Sequence, residues 1–246
     1  MTTVKHERLD HYLVRTGSFR SRDRSKEAIL RGNVRVNGMV QRKPSFLLEE
    51  NSVVELLVVD SPYVSRSALK LRAALDQFRV PVQGAVALDI GVATGGFSQL
   101  LLERGARMVY GIDVGNGQVA AELLHDRRFV FRNNTDARDL RLADFSEPPD
   151  LIVVDVSFIS IEALLPALSA LTGRETILLV LLKPQYELGP GSLQKLKDLT
   201  LVKKRLLAIE NAFAAQGLKL TEKMPSPLKG KEGTQEYLWL FRRRIS

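Results

Sequence analysis

A glycine-rich loop is the first feature of this 246-residue chain that could do chemistry. It runs Gly91-Val-Ala-Thr-Gly-Gly96 between a strand-like and a helix-like stretch, and Asp113 ends the next apolar run. Glycines at such a turn let a ligand approach the backbone, and an acid about twenty residues further on can accept hydrogen bonds from two ribose hydroxyls. Ala93 stands where a dinucleotide pyrophosphate needs glycine. The loop therefore favours S-adenosylmethionine, which has an adenosine but no phosphate; the alternative is a glycine-rich turn of any α/β domain.

Charged residues also end two later apolar runs. Asp155 closes the run 151–154, and Lys183 closes the run 177–182. Because unpaired buried charges are costly, we expect both side chains to face one cleft. The alternative is a buried Asp–Lys pair that fixes the strand ends.

A parallel sheet is the element that could bring these residues together. Strand-like and helix-like periodicities alternate from residue 85 onwards, which predicts a mostly parallel sheet with helices on both faces and a ligand site at the carboxyl ends of its strands. The last two strands leave no room for a helix between them, so we expect a closing antiparallel hairpin. The predicted strands are 85–90, 107–112, 128–132, 150–155, 176–182, 218–223 and 235–241, and the predicted helices lie near 65–78, 97–104, 117–124, 160–171 and 194–216.

Positive charge is concentrated at the N-terminus. Residues 1–45 contain eleven Lys or Arg and four Asp or Glu, a net of +7 out of +8 for the chain. The pattern predicts two short helices and a hairpin that turns at Asn37-Gly38. A localised positive field favours a polyanion such as nucleic acid, and the alternative is a solvated basic face. The cations expected to face RNA are Arg8, Arg20, Arg22, Arg24, Lys26 and Arg31.

Composition excludes several classes of protein. The chain has no cysteine, which excludes disulfides, zinc-thiolate sites and thiol catalysis. His6, His11 and His125 lack metal-ligand spacing, so we expect no metal site. No signal peptide is visible and the longest apolar run is too short to cross a bilayer, so we expect a cytoplasmic protein.

The N-terminal segment resembles a known RNA-binding domain. Residues 6–59 carry the pieces Arg-Leu-Asp-x-x-Leu and Gly-x-Val-x-Val-Asn-Gly, which are similar to the domain named after ribosomal small-subunit protein S-four. Such domains bind structured RNA through a basic helix-and-loop surface.

The whole chain resembles the TlyA family. The resemblance implies an S-four-like domain at 1–60, a linker at 61–64, and an FtsJ-type methyltransferase domain at 65–246. It implies a Rossmann-like class I fold and methylation of cytidine ribose 2′-hydroxyls in ribosomal RNA or a ribosomal subunit. Besides the glycine loop, the motifs are Ser65-Arg-Ser-Ala-Leu-Lys-Leu71, Val154-Asp-Val-Ser-Phe-Ile-Ser160, Lys183-Pro-Gln-Tyr-Glu187 and the strand with Glu236.

The resemblance also implies roles for single residues. A ribose hydroxyl is a poor nucleophile, so methyl transfer needs a base close to the oxygen and an in-line approach. Lys183 is the best candidate for that base, and Asp155 and Glu236 would orient the ammonium groups. The family's Lys-Asp-Lys-Glu set matches Lys70, Asp155, Lys183 and Glu236. The cofactor residues implied are Gly91, Ala93 and Gly95 at the methionine, Asp113 at the ribose, and Asp136 with Ala137 at the adenine edge.

The chain departs from the family pattern in places. Ser67-Ala68 replaces two glycines, Ala93 replaces a serine, and residues 188–192 replace a longer loop. These departures motivate one alternative, a non-catalytic RNA-binding protein. A second alternative is a membrane-active haemolysin, a label the family has carried, although the sequence lacks the strand repeat or helix of a pore. Phe158 could stack on an extruded base, but we expect a packing residue there.

Overall fold

The computed structural model describes residues 7–16, 18–19, 21–57, 63–115, 118–189, 191–230 and 233–244. Its backbone contacts divide the chain into two compact units, residues 1–62 and residues 63–246. Each unit has buried hydrophobic clusters of its own.

The first unit consists of two helices and five short strands in its described residues. Helices α1 (Leu9–Arg15) and α2 (Arg22–Leu30) pack together. The turn between strands β2 (Val34–Val36) and β3 (Met39–Val40) has Asn37 at φ 52° and Gly38 at φ 78°. Positive φ at both positions is the conformation of a type I′ hairpin turn, so the predicted hairpin is confirmed. The strands are β1 (Glu7–Arg8), paired with β4 (Leu47–Leu48), and β2 (Val34–Val36), which lies between β3 (Met39–Val40) and β5 (Val54–Leu56).

The described part of the second unit contains a seven-stranded sheet. In chain order the strands are β6 (Val86–Ile90), β7 (Met108–Ile112), β8 (Phe129–Arg132), β9 (Leu151–Val154), β10 (Ile177–Leu182), β11 (Leu218–Pro225) and β12 (Tyr237–Arg243). Their spatial order is β11-β12-β10-β9-β6-β7-β8, and β12 is antiparallel to both of its neighbours while the remaining pairs are parallel. The predicted mostly parallel sheet with a terminal antiparallel hairpin is therefore confirmed.

Helices cover both faces of this sheet, whose central strands are fully buried. The single helix predicted near 194–216 is wrong. Two helices occupy this segment, because the Asp198 carboxylate accepts hydrogen bonds from the amides of Thr200 and Leu201 and so starts a new helix. The helices are α3 (Ser67–Gln77), α4 (Gly96–Glu103), α5 (Ala121–Leu124), α6 (Leu165–Leu171), α7 (Pro184–Glu187), α8 (Ser192–Lys195) and α9 (Leu199–Ala215).

Strand register determines which residues meet at the carboxyl edge. In the parallel pair of β9 and β10, Val180 lies opposite Val154. In the antiparallel pair of β10 and β12, Leu182 lies opposite Tyr237. Asp155, Lys183 and Glu236 each stand one residue beyond the corresponding strand end. All three therefore reach the same edge of the sheet.

Candidate active site

One ion pair joins the ends of β9 and β10. Lys183 Nζ lies 2.6 Å from Asp155 Oδ1 and donates a hydrogen bond of 2.9 Å to Ser157 Oγ. The Lys183 and Asp155 side chains are only 11% and 15% exposed. Burying two charges costs about as much as their attraction returns, so such a pair adds little stability. Whether the pair has a catalytic role stays a prediction.

A second ion pair joins helix α3 to the start of β12. Lys70 Nζ donates a hydrogen bond of 2.5 Å to Glu236 Oε2, and the Glu236 side chain is 4% exposed. The four residues expected to be catalytic thus form two largely buried pairs. Their catalytic roles stay predictions.

The glycine loop lies against the Asp155 end of β9. Gly91 has φ 90°, and a Cβ added there would come within 2.5 Å of the Asp155 carbonyl oxygen. Gly95 has φ 97° and precedes α4, and Ala93 also has a positive φ of 49°. Only glycine adopts the first two conformations at little cost. The close approach at Gly91 puts the loop next to the Lys183–Asp155 pair.

Asp113 closes the loop from the end of β7. Its Oδ2 accepts a hydrogen bond of 2.7 Å from the Ala93 amide, and its Oδ1 accepts one of 2.7 Å from the Gly115 amide. Each carboxylate oxygen has a further lone pair. Asp113 can therefore hold the loop and still accept hydrogen bonds from a ribose.

Asp136 and Ala137 have different surroundings. Asp136 caps a short 3₁₀ helix, where its Oδ1 accepts a hydrogen bond of 2.9 Å from the Arg138 amide. The hydrogen bond from the Arg138 side chain lowers the pKa of Asp136 to about 2, so this carboxylate is charged at neutral pH. The Ala137 methyl group is buried in the core, and the contact of Ala137 with an adenine edge stays a prediction.

Asp89 is a further acid at this edge, outside the residues expected in the site. It is fully buried, its Oδ2 accepts a hydrogen bond of 2.6 Å from Ser98 Oγ, and its Oδ1 has no partner in the described structure. Burial raises the pKa of Asp89 to about 7, and the negative charges of Asp155 and Asp113 add to this effect. Sequence reasoning could have included Asp89 in the site, because it lies at the end of β6, two residues before Gly91.

Phe158 is exposed, so the expectation that it packs is wrong. Its side chain is 90% exposed and its φ is 66°. A positive φ is rare and strained for a bulky residue. The ring lies 5.2 Å from the Tyr186 ring, and Lys183 Nζ lies 5.9 Å from the Tyr186 ring centroid. The Tyr186 ring therefore lies near both the Phe158 ring and the Lys183 amine.

In the first unit, two of the cations expected to face RNA converge on one buried acid. Arg8 donates two hydrogen bonds of 2.9 Å to Asp10, and Arg22 Nη2 lies 3.6 Å from Asp10 Oδ2. The hydrogen bonds from Arg8 lower the pKa of Asp10, so this anion persists to acidic pH and orients both guanidinium groups.

Three of the remaining cations of the set, Arg24, Lys26 and Arg31, lie on or next to α2. Lys26 Nζ is 3.7 Å from Asp23 Oδ1, and Arg31 Nη2 is 2.5 Å from Glu27 Oε1. Arg24 is half-buried, and Arg20 lies outside the described residues. The RNA contacts of this set stay predictions.

Two further features bear on function. Among the described residues, no group of three or more His, Asp or Glu is arranged to hold a metal ion. None of the helices within the described ranges is long and apolar enough to cross a membrane.

The strand order and the glycine loop are those of a Rossmann-like methyltransferase. Comparison with known families agrees: residues 63–243 match the model for FtsJ-like methyltransferases, and residues 7–54 match the model for the S4 domain. The second unit is therefore a methyltransferase domain, and the first unit is a domain of a type that binds RNA.

Individual relatives show to which family of methyltransferases the chain belongs. The 16S/23S rRNA (cytidine-2'-O)-methyltransferase TlyA of Mycobacterium tuberculosis is 38% identical over 96% of this chain and 90% of the relative. Hemolysin A of Brachyspira hyodysenteriae is 35% identical over 95% of this chain and 99% of its own length. A solved structure described as a hemolysin from Streptococcus thermophilus superposes with a TM-score of 0.76 at 30% identity, covering 98% of this chain and 90% of that one. The chain belongs to the TlyA family of FtsJ-like methyltransferases.

Proposed function

We propose that this protein transfers a methyl group from S-adenosylmethionine to the 2′-hydroxyl of a cytidine ribose in ribosomal RNA. The observation that carries the proposal is the contact between the glycine loop and the Lys183–Asp155 pair, since Gly91 approaches the Asp155 carbonyl so closely. A cofactor held by that loop would have its reactive end next to the lysine. The Mycobacterium tuberculosis relative is named for this reaction.

The cofactor supplies an electrophilic methyl group, and the residues present fit its parts. Gly91, Ala93 and Gly95 would line the methionine portion, and Asp113 would accept hydrogen bonds from the ribose with its remaining lone pairs. Asp136 and the backbone of Ala137 would meet the adenine edge.

The chemistry assigned to the chain is a proton transfer. Lys183 Nζ, once it has given up its own proton, would take the proton of the 2′-hydroxyl while the oxygen gains the methyl group and the methyl–sulfur bond of the cofactor breaks to leave a neutral thioether. Ser157 Oγ holds Nζ in place, and Asp155 would stabilise the ammonium that results. Lys70 and Glu236 would complete the cleft as a second, fixed pair.

The RNA would be held by two surfaces. The N-terminal domain, residues 1–60, would dock phosphates through its oriented arginines, and the domain 65–246 would carry the chemistry. The exposed ring of Phe158, backed by Tyr186, would stack on the base of the target nucleotide. With a ribosomal substrate, the protein would work in the cytoplasm.

Single-turnover transfer of a labelled methyl group to ribosomal RNA tests this proposal, with both binding affinities measured alongside. Lys183→Arg should lose transfer and keep both affinities, because a guanidinium retains the charge but does not release its proton at ordinary pH. Lys223→Arg is the matched control: Lys223 also forms an ion pair, 3.3 Å from Glu210, on edge strand β11.

Two results would contradict the proposal. If the Lys183→Arg protein turned over at the wild-type rate, Lys183 would not be the general base. Absence of transfer by the wild-type protein, on intact subunits and on isolated ribosomal RNA, would favour the non-catalytic RNA-binding alternative.

A further inference from the structure

The groups that surround the proposed reaction come from two separate segments. Residues 155–162 follow β9 and supply Asp155, Ser157 and Phe158. Residues 183–187 follow β10 and supply Lys183 and Tyr186. Methyl transfer needs these segments in one fixed relative position, because small displacements of reacting groups are costly in rate.

Glu187 joins the two segments directly. It is the last residue of α7, and its side chain is only 3% exposed. Its Oε1 accepts a hydrogen bond of 2.9 Å from the Ile161 amide, and its Oε2 accepts one of 2.6 Å from Ser160 Oγ. The buried carboxylate thus ties the end of the β10 segment to the end of the β9 segment.

Arg205 of helix α9 completes this connection. Its Nε donates a hydrogen bond of 2.9 Å to the Glu187 carbonyl oxygen. Its Nη2 lies 3.3 Å from Ser160 Oγ and 3.4 Å from Glu187 Oε2, and it also donates to Glu162 Oε2. One guanidinium therefore contacts both segments and balances the charge of the buried Glu187 carboxylate.

We infer that Arg205 is a positioning residue for methyl transfer, which holds the Asp155–Phe158 turn and the Lys183–Tyr186 segment in register through Glu187 and Ser160. This inference rests on the proposed function. Arg205 and Glu187 touch neither substrate in this arrangement, and they act through the residues they hold. The rigid fork of the guanidinium is essential, because one ammonium cannot donate from two directions with the same geometry.

The test compares Arg205→Lys and Arg205→Ala with the wild-type protein in single-turnover methyl transfer at saturating RNA and cofactor. We expect the rate per folded molecule to fall roughly 10- to 100-fold in both variants, as for a displacement of about 1 Å. Affinity for S-adenosylmethionine should stay within about two-fold, because the glycine loop follows a different strand. The lysine variant keeps the charge, so it separates geometry from electrostatic support.

Arg243→Lys is the matched control. Arg243 is likewise half-buried and also ties separate segments together, with Nε 2.7 Å from the Thr172 carbonyl oxygen and Nη1 3.5 Å from that of Gln216. It lies at the amino end of β10, opposite the proposed site. We expect it to lower the thermal stability and leave the transfer rate per folded molecule unchanged.

Hydrogen exchange gives a readout that does not depend on activity. In both Arg205 variants the Ile161 amide and the peptides covering 155–163 and 183–188 should exchange faster, while strands β6 and β7 keep their protection. Wild-type exchange in these peptides, or equal slowing of transfer in Arg243→Lys, would overturn the inference. Absence of transfer by the wild-type protein would instead refute the proposed function, and the exchange pattern would still decide whether Arg205 holds the segments.

Discussion

Asp89→Asn should change how the stability of the methyltransferase unit depends on pH. The free aspartate pKa is 3.8 and burial raises that of Asp89 to about 7. Between these values the folded state keeps a proton that the unfolded chain has lost, so the free energy of unfolding falls as pH rises. Each pH unit is worth about 1.4 kcal/mol, which gives about 4 kcal/mol over the whole interval. Asparagine cannot ionise, so the free energy of unfolding of the variant does not fall with pH for this reason.

The measurement is urea unfolding of both proteins at several pH values from 4.5 to 8.5, followed by fluorescence of Trp239. This residue is the chain's one tryptophan and is buried in the sheet of that unit. The stability of the asparagine variant relative to wild type should increase from low pH to about pH 7 and stay constant above it. Ser98→Ala removes the hydrogen bond that opposes the shift, so its falling phase should extend to higher pH. A difference between Asp89→Asn and wild type that does not vary with pH would refute the reasoning.

Three further predictions concern ligands. Asp113→Ala should weaken S-adenosylmethionine binding by about 10-fold or more, because the loop loses its acceptor along with the ribose contacts; calorimetry with an unchanged affinity in a folded variant would remove Asp113 from the site. Changing Arg22, Arg24 and Lys26 together to glutamine should weaken RNA binding and flatten its salt dependence, because fewer counterions are released; a salt titration with an unaltered slope would contradict this. Phe158→Ala should raise the apparent RNA KM roughly 10-fold, and Phe158→Tyr should restore it, if base stacking is worth about 1–3 kcal/mol; equal KM values for the two variants would exclude stacking.

The sequence predicted the sheet because periodicity there reflects burial on both faces. Each strand of the second unit is within two residues of its expected ends, since runs such as 177–182 are apolar throughout and fit only a covered strand. The prediction of one helix near 194–216 was wrong because a single capping residue, Asp198, starts a new helix there. The apolar periodicity continues across this break. A single side chain competing for backbone amides is a local effect that periodicity does not report.

The part of the candidate site that lies at strand ends was predictable from the sequence. Asp155 and Lys183 meet because parallel neighbours share a carboxyl edge, and their pairing follows from the register of β9 and β10. The exposure of Phe158 was not predictable, since it depends on the conformation of a turn. The contacts of Arg205 were not predictable either, since they depend on where a distant helix lies. Arg205 is separated from Ser160 by 45 residues, and nothing in the local pattern links them.

Two of the departures from the family pattern, at Ser67-Ala68 and at Ala93, lie where they leave the proposed chemistry intact. Ser67 Oγ is 2.5 Å from Ser65 Oγ and both lie beside Gly96, at the start of α4, while α3 still delivers Lys70 to Glu236. Ala93 donates its amide to Asp113, a contact of the backbone that does not require a serine side chain. The Lys183–Asp155 and Lys70–Glu236 ion pairs are present together with the intact glycine loop. Because methyl transfer would use all three features, their combination favours an enzyme over a binding protein with a degenerate domain.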